Sequence, residues 1–225
     1  MKNILNIYKP VDWTSNDVVQ KVKKLIKANK VGHAGTLDPN ADGVLVLGIN
    51  EATKQLNQLL LDNKQYLATI QFNTATDTYD VTGTIIQTDN TIIKLEDIKK
   101  ALEEFKTNQY YQTPPAYSAI KINGLKAYDL ARKKIDVKLE SRLVKLLDYE
   151  IVSYDQINQQ LVILIDVSKG FYVRSLAVDL ASKLNSCAHL AKLTRTRSGN
   201  FDIKDSIKIE QVYDFWTQQN QSKIN

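Results

Sequence analysis

The chain has 225 residues, of which 43% are hydrophobic and 24% charged, so it is long enough to bury a sizeable core and is not a disordered protein. Thirty Lys and Arg against 25 Asp and Glu give a formal charge of +5, which is compatible with a nucleic-acid partner but does not indicate one. One cysteine excludes an intramolecular disulfide, and two histidines with that cysteine are too few ligands for a structural zinc site. With no targeting segment and no apolar run of about eighteen residues, we expect a cytoplasmic protein that does not cross a membrane.

The N-terminal residues predict a strand followed by an amphipathic helix. Residues 4–8 form a short apolar strand, and Thr14 with Asp17 three positions later predicts a capping box for a helix that extends to about Ala28. Four lysines of this helix lie away from its apolar positions: Lys21, Lys23, Lys24 and Lys27. Either a solvated surface or contact with phosphates would account for them.

Residues 31–54 hold four of the chain's eight glycines, which predicts a sharply shaped loop. Asp38 stands within it, directly before Pro39, which biases Asp38 toward extended geometry. The apolar run VLVLGI, residues 44–49, predicts a buried strand behind the loop. A carboxylate presented in this way suits a nucleophile or a base, although a simple Asp-Pro turn would have the same sequence.

The next elements alternate between helices and strands. We predict a helix near residues 51–62, a strand over 64–72 that carries Tyr66, a polar turn over 76–80, a partner strand over 83–87 and an amphipathic helix over 95–106. Residues 110–134 then mix tyrosines with basic residues. That mixture suits RNA, whose unstacked bases lie on aromatic rings, but an ordinary hairpin and helix would also explain it.

The remaining pattern predicts strands over residues 144–154 and 161–167 and a helix that includes residues 176–184. A strand near residues 190–199 follows, with Arg195 and Arg197 alternating on one face, and a helix over about 209–219 comes last.

Residues 32–54 resemble the signature of the bacterial tRNA pseudouridine-55 synthases, the TruB family, whose pattern is close to GHxGTLDPxAxGVL followed by GxATK. The opening KPxGxTS of that family stands here as residues 9–15, with Asp12 in place of a glycine; Asp can adopt the positive φ that such a glycine provides. Three later elements also match. They are the KxY strand with its TDTxD turn, the element PxxSAxKxxGxxxYxxAR over residues 115–132, and SKGxYIRxL over residues 168–176.

The resemblance implies an α+β protein with the pseudouridine synthase fold: a mixed, mostly antiparallel sheet flanked by helices, with an RNA-clamping insertion at about residues 108–135. It implies a single catalytic domain over residues 1–225, without the small C-terminal PUA-like domain that many members carry. The implied function is isomerisation of uridine 55 in the T-loop of tRNA to pseudouridine. This reaction leaves the redox state unchanged, so we expect no metal and no cofactor. The implied partner is the T-arm of tRNA, and we expect a monomer.

The resemblance also assigns site residues. It places Asp38 at C1′ of a flipped-out nucleotide, Arg174 beside that carboxylate, and Tyr66 against the base, where sequence alone would make Tyr66 a packed strand aromatic. The residues it implies in substrate binding are His33, Tyr172, Leu193, Lys121 and Arg132. Arg195 and Arg197 join Lys121 and Arg132 as candidates for contact with the RNA backbone.

Two other functions are compatible with these residues. One is an RNA-binding or tRNA-folding protein whose catalysis is incidental, against which the presence of Asp38, Tyr66 and Arg174 together argues. The other is a related synthase that acts on another RNA.

Overall fold

The structure is a computed structural model that describes residues 3–117, 121–122, 125–126 and 139–221. Within these residues the strands are β1 (Ile4–Lys9), β2 (Val31–His33), β3 (Ala41–Ile49), β4 (Lys64–Phe72), β5 (Thr74–Thr76), β6 (Ile85–Thr88), β7 (Tyr110–Gln112), β8 (Lys121–Ile122), β9 (Leu125–Lys126), β10 (Arg142–Val144), β11 (Leu146–Asp155), β12 (Gln160–Val167), β13 (Ala188–Ser198) and β14 (Phe201–Asp202). The α-helices are α1 (Ser15–Leu25), α2 (Leu56–Leu59), α3 (Leu95–Thr107), α4 (Val173–Lys183) and α5 (Val212–Gln221). Short 3₁₀ turns occupy Asn50–Gln55, Ile203–Asp205 and Ile209–Gln211.

The chain divides into two compact units. The first comprises Met1–Tyr66 together with Leu193–Asn225, and the second comprises Leu67–Lys192. The single-domain organisation and the absence of a PUA-like domain stay predictions.

The first unit is built on strand β3. Strand β1 pairs antiparallel with it from Ile4↔Gly48 to Lys9↔Gly43, and β13 pairs parallel with its beginning at Leu193↔Ala41. Helices α1 and α5 cover this sheet because their apolar residues pack with those of the strands. The shared core is Leu5, Ile7, Val18, Val19, Val22, Leu45, Leu47, Ile49, Ile209 and Val212.

The second unit contains the strand order β4-β12-β11, in which β11 and β12 form an antiparallel hairpin. In this unit aromatic side chains from helix α3, strand β7 and the residues just before α4 pack together. The rings of Phe105 and Tyr110 lie 4.6 Å apart between centroids, and Tyr110 meets Phe171 edge-on at 5.8 Å. The α+β class with mixed, mostly antiparallel pairing is thus confirmed.

Local signals at the start of α1 are confirmed, whereas its predicted end is wrong. Thr14 and Asp17 form the expected capping box, and Asp12 has φ +66°, as expected for a residue in the place of a glycine. The helix ends at Leu25 and not near Ala28. Lys27 turns to φ +49°, and the Ala28 N–H bonds back to the carbonyl of Lys23, which closes the helix.

Two other predicted elements differ from the structure. In place of the helix expected over residues 51–62, the structure has a 3₁₀ turn followed by the short helix α2. The turn packs closely on β3, since a Cβ at Gly48 would lie 2.9 Å from the Ala52 carbonyl oxygen. The strand expected over residues 83–87 is β6, which pairs with β5 and so does not extend the pairing of β4. Asn73, with φ +67°, breaks the chain between β4 and β5.

Among the described residues no helix is long and apolar enough to cross a membrane. The cytoplasmic location stays a prediction.

Candidate active site

In the first unit the predicted catalytic Asp38 lies half-buried in a loop, residues 34–40, which we call the Asp38 loop. Contacts with distant parts of the sequence fix the residues on both sides of it. The hydroxyl of Ser15 donates to the Leu37 carbonyl (3.1 Å) and accepts from the Leu37 N–H (2.9 Å). On the other side the Asp12 N–H donates to the Pro39 carbonyl at 2.8 Å. The backbone that carries the carboxylate is therefore held on both sides.

Lys9 adds a buried positive charge next to this loop. It occupies the third core-facing position of β1 after Leu5 and Ile7, and it is fully buried. Its ammonium group donates to the carbonyls of Pro10 (2.8 Å), Trp13 (2.5 Å) and Pro39 (3.3 Å). Burial lowers the pKa of Lys9 to about 8, while the nearby carboxylates of Asp42 and Asp38 act in the opposite direction. Lys9 is therefore still protonated at neutral pH and favours an ionised Asp38.

Arg195 closes the other end of the Asp38 loop. Only 1% of this residue is exposed; its Nε donates to the Val44 carbonyl at 2.7 Å and its Nη2 to the Gly35 carbonyl at 3.1 Å. Strand β13 can come this close because Gly43 faces it: a Cβ there would lie 2.3 Å from the Arg195 carbonyl oxygen, and Gly43 has φ +102°. The predicted contact of Arg195 with the RNA backbone is wrong for this structure, because its guanidinium is inside the protein.

The other predicted site residues of the first unit lie on neighbouring strands. Leu193 pairs with Ala41, whose N–H donates to the Asp38 carbonyl at 3.1 Å. Tyr66 is half-buried in β4, next to Gln65, which accepts a hydrogen bond from Thr196 of β13 at 3.0 Å.

His33 ends β2, half-buried, and its Nδ1 has no hydrogen-bond partner among the described residues. Burial, together with the charge of Arg195, lowers the pKa of His33, so its ring is neutral at pH 7.

The second unit holds the predicted Arg174 as the second residue of α4, which begins at Val173. Its side chain is 5% exposed. Nη1 donates to the Thr78 carbonyl at 3.1 Å and Nη2 to the Tyr117 carbonyl at 3.0 Å. Nη1 also lies 3.5 Å from a carboxylate oxygen of Asp80. Because the guanidinium is planar and rigid, these three acceptors together fix its orientation.

Asp80 belongs to the polar turn of residues 76–80 and is 4% exposed. While its Oδ2 faces Arg174, its Oδ1 accepts from the Thr82 hydroxyl (2.6 Å), the Thr82 N–H (3.0 Å) and the Thr78 hydroxyl (2.9 Å). Tyr79, which lies between Thr78 and Asp80, has φ +65°, which is uncommon for an aromatic residue and costs conformational energy. The turn is thus shaped to bring a fully bonded carboxylate to Arg174.

Comparison with known proteins identifies the family of this chain. The family model described as "TruB family pseudouridylate synthase (N terminal domain)" matches residues 23–173, and "tRNA pseudouridylate synthase B C-terminal domain" matches residues 174–225. The chain is 58% identical over 224 residues to the tRNA pseudouridine synthase B of Ureaplasma urealyticum serovar 10, covering 100% of this chain and 98% of that protein. It is 42% identical to the protein of the same name from Malacoplasma penetrans, covering 95% and 89% respectively. The chain belongs to the TruB family of pseudouridylate synthases.

Solved structures support the same fold. A Cbf5-Nop10-Gar1 complex matches with a TM-score of 0.73 and 26% identity, over 99% of this chain and 56% of that chain. An archaeal box H/ACA Nop10-Cbf5 complex matches with a TM-score of 0.70 and 25% identity, over 96% and 55%. The chain therefore spans about half the length of these structural relatives. As a TruB family member it is a pseudouridine synthase, which is an isomerase.

Within the TruB family fold, the structure gathers the predicted residues of the first unit around β3 and β13 and places Arg174 and Tyr172 at the start of α4 in the second unit. The side chain of Lys121 and all of Arg132 lie outside the described residues, and their roles stay predictions. Sequence reasoning missed Lys9 and Asp80 as site residues. The alternation Leu5, Ile7, Lys9 could have revealed the buried Lys9, since successive side chains of a strand point to opposite faces.

The buried Arg195 leads to a stability prediction for this family member. We expect Arg195→Met to lower the free energy of unfolding by about 1 to 3 kcal/mol, because it leaves the Val44 and Gly35 carbonyls without their donors. We also expect slower pseudouridine formation, because the Asp38 loop loses one support. Urea unfolding and tritium release from labelled RNA measure the two effects.

The matched control is Lys192→Met, which removes an exposed cation from the same strand. If Arg195→Met is as stable and as fast as that control, Arg195 does not hold the loop.

Proposed function

We propose that this enzyme converts uridine 55 in the T-loop of tRNA into pseudouridine, with Asp38 acting at C1′ of a nucleotide flipped out of the stack. The observation that carries the proposal is the Asp38 loop. Its carboxylate stands between two backbone positions fixed by Ser15 and Asp12, beside the buried charge of Lys9. Fixed geometry of this kind is what a nucleophile or base needs, because a small misplacement lowers the rate steeply.

The chemistry requires a bond exchange on one nucleotide. The N1–C1′ bond breaks, the uracil rotates, a C5–C1′ bond forms, C5 loses its proton and N1 gains one. Asp38 attacks C1′ or assists removal of the C2′ proton. Atoms and charge balance within the nucleotide, so we expect no metal and no cofactor.

The other predicted residues have supporting roles in this scheme. Arg174 holds the Asp38 carboxylate ionised and oriented, since desolvation under a bound base would otherwise favour its protonated form. Tyr66 stacks on the base, and its hydroxyl assists proton transfer. Leu193 lines the uracil pocket, Tyr172 takes part in substrate binding, and His33, neutral at pH 7, contacts the everted nucleotide.

The name of the relatives supports tRNA as the substrate, and the predicted partner is its T-arm. Exposed lysines of α1, among them Lys21 and Lys24, are available for phosphate contact. We expect the enzyme to act as a monomer.

The test is tritium release from C5-labelled uridine in a full-length tRNA transcript, because formation of the C5–C1′ bond displaces the C5 hydrogen. We expect release of a single equivalent from the normal transcript and none from a transcript in which cytidine replaces uridine 55. Equal release from both transcripts would move the target to another position. Release from other structured RNAs but not from tRNA would favour a synthase with a different substrate, and binding without release from any RNA would favour a binding protein.

A further inference from the structure

Residues 112–117, which we call the strap, are the described segment immediately before residue 118 and lie within the predicted insertion. They run along the first turn of α4, the turn that carries Arg174. The strap reaches that turn at three places: Gln112 at Tyr172, the Thr113 carbonyl at Ser175, and the Tyr117 carbonyl at Arg174.

Gln112 makes the most complete of these contacts. Only 1% of the residue is exposed. Its side-chain amide pairs with the backbone of Tyr172 as an adjacent strand would. Oε1 accepts from the Tyr172 N–H at 2.7 Å, and Nε2 donates to the Tyr172 carbonyl at 2.9 Å. The second N–H of Nε2 donates to the Tyr110 hydroxyl at 3.1 Å. Both N–H groups of the Gln112 side-chain amide therefore donate a hydrogen bond.

The Tyr110 hydroxyl in turn donates to the Asp179 carboxylate at 2.5 Å, which lies further along α4. Gln112 is thus fixed at its far side by a group that is bonded to the same helix. The side chain cannot turn away from Tyr172 without breaking this second link.

The first turn of α4 depends on such external contacts. Tyr172 is its N-cap residue, and the Tyr172 side chain makes no capping hydrogen bond, so the turn lacks the Ser, Thr or Asp that usually fixes the start of a helix. The Ser175 hydroxyl, 2% exposed, instead donates to the Thr113 carbonyl at 2.8 Å. The strap thus restrains the position of the first turn from outside the helix.

We propose that Gln112 is a positioning residue: its amide fixes Tyr172 and the first turn of α4, and so sets the position of the Arg174 guanidinium, while the Tyr117 carbonyl of the same strap bonds that guanidinium directly. The proposal rests on the role of Arg174 in the proposed function. It assigns the strap a part in catalysis that is separate from RNA binding.

Gln112→Met tests this. The variant keeps most of the side-chain volume but removes all three hydrogen bonds, leaving the Tyr172 N–H without the Gln112 acceptor. In single-turnover tritium release at saturating enzyme, we expect the rate to fall about 10- to 100-fold, the scale of a small misplacement of a reacting group. We expect RNA affinity, measured by filter binding, to stay within about threefold of wild type, because no RNA contact is removed.

The matched control is Gln159→Met. Gln159 also lies in the second unit and is also buried (6% exposed). Its side chain also makes three hydrogen bonds: it accepts from the Ile93 N–H and the Tyr154 hydroxyl and donates to the Gln156 carbonyl. We expect it to lose comparable stability in urea unfolding without the loss of rate. If Gln112→Met is no slower than Gln159→Met, the proposal is wrong.

A double-mutant cycle with Arg174→Lys separates positioning from a general loss of structure. Since Gln112 acts through Arg174, Gln112→Met should add less than about twofold to the rate loss of Arg174→Lys. An undiminished further loss in that background would overturn the proposal. If Arg174→Lys alone keeps the wild-type rate, the role given to Arg174 in the proposed function is wrong.

Should Gln112→Met fail to fold, Ser175→Ala removes the neighbouring contact by deleting a single hydroxyl. We expect the same pattern with a smaller rate loss, again suppressed in the Arg174→Lys background. A wild-type rate for Ser175→Ala in that case would count against the strap.

Discussion

Replacing Asp38 by Asn is expected to lower the rate of tritium release by at least about 10³-fold, because an amide can act neither as a nucleophile nor as a base. Asn has the same shape as Asp, and the bonds from Ser15 to Leu37 and from Asp12 to Pro39 hold the backbone of the loop without using the Asp38 side chain. The variant should therefore fold normally and bind tRNA with nearly unchanged affinity. Filter binding and urea unfolding verify both points on the same preparation.

Asp205→Asn is the control for the change of charge, since Asp205 is an exposed carboxylate of the first unit. We expect it to release tritium at the wild-type rate. Asp38→Asn activity within tenfold of that control would remove Asp38 from the chemistry and leave the Asp38 loop a structural turn.

The second large effect is expected from Arg174→Lys, which keeps the charge and loses the planar fork. A lysine ammonium cannot reproduce the guanidinium geometry that reaches the Thr78 carbonyl, the Tyr117 carbonyl and the Asp80 carboxylate. We expect single-turnover release to slow about 100-fold, the scale of a misplaced catalytic group. The accompanying loss of stability should be smaller than that of Arg174→Met, which leaves the buried Asp80 without its cation at a cost of about 3 to 5 kcal/mol.

Arg142→Lys, an exposed arginine of the same unit, controls for the substitution itself and should behave as wild type. Equal rates for Arg174→Lys and Arg142→Lys would mean that only the charge at position 174 matters, or that the residue has no part in the reaction. The Arg174→Met variant separates these two meanings, because it removes the charge.

The fold was predictable where the signal is local. The capping box of Thr14 and Asp17 and the positive φ of Asp12 depend on residues within a few positions of each other. Helix ends and the turn after β3 were less predictable. The end of α1 depends on the positive φ of Lys27. The 3₁₀ turn depends on the close packing of Ala52 against Gly48.

The candidate site shows the same division. Motif resemblance predicts Asp38 and Arg174 as site residues, but it does not show what holds them. Arg195 bonds Gly35 across 160 positions, and Gln112 bonds Tyr172 across 60. Neither pairing leaves a pattern in the neighbouring sequence, so the sequence alone predicts an RNA contact for the buried Arg195 and no role for the buried Gln112.

The contact between Arg195 and Gly35 also has a consequence for the order of events on the ribosome. Residue 195 is added 160 residues after residue 35, which at ordinary elongation rates is roughly 8 to 32 s later. Throughout this interval Leu45 and Leu47 have been synthesised but Ile209 and Val212, the last members of their shared core, have not. The N-terminal strands thus emerge early and are completed late, and a chaperone that shields apolar surface during synthesis would act on this segment of the nascent chain.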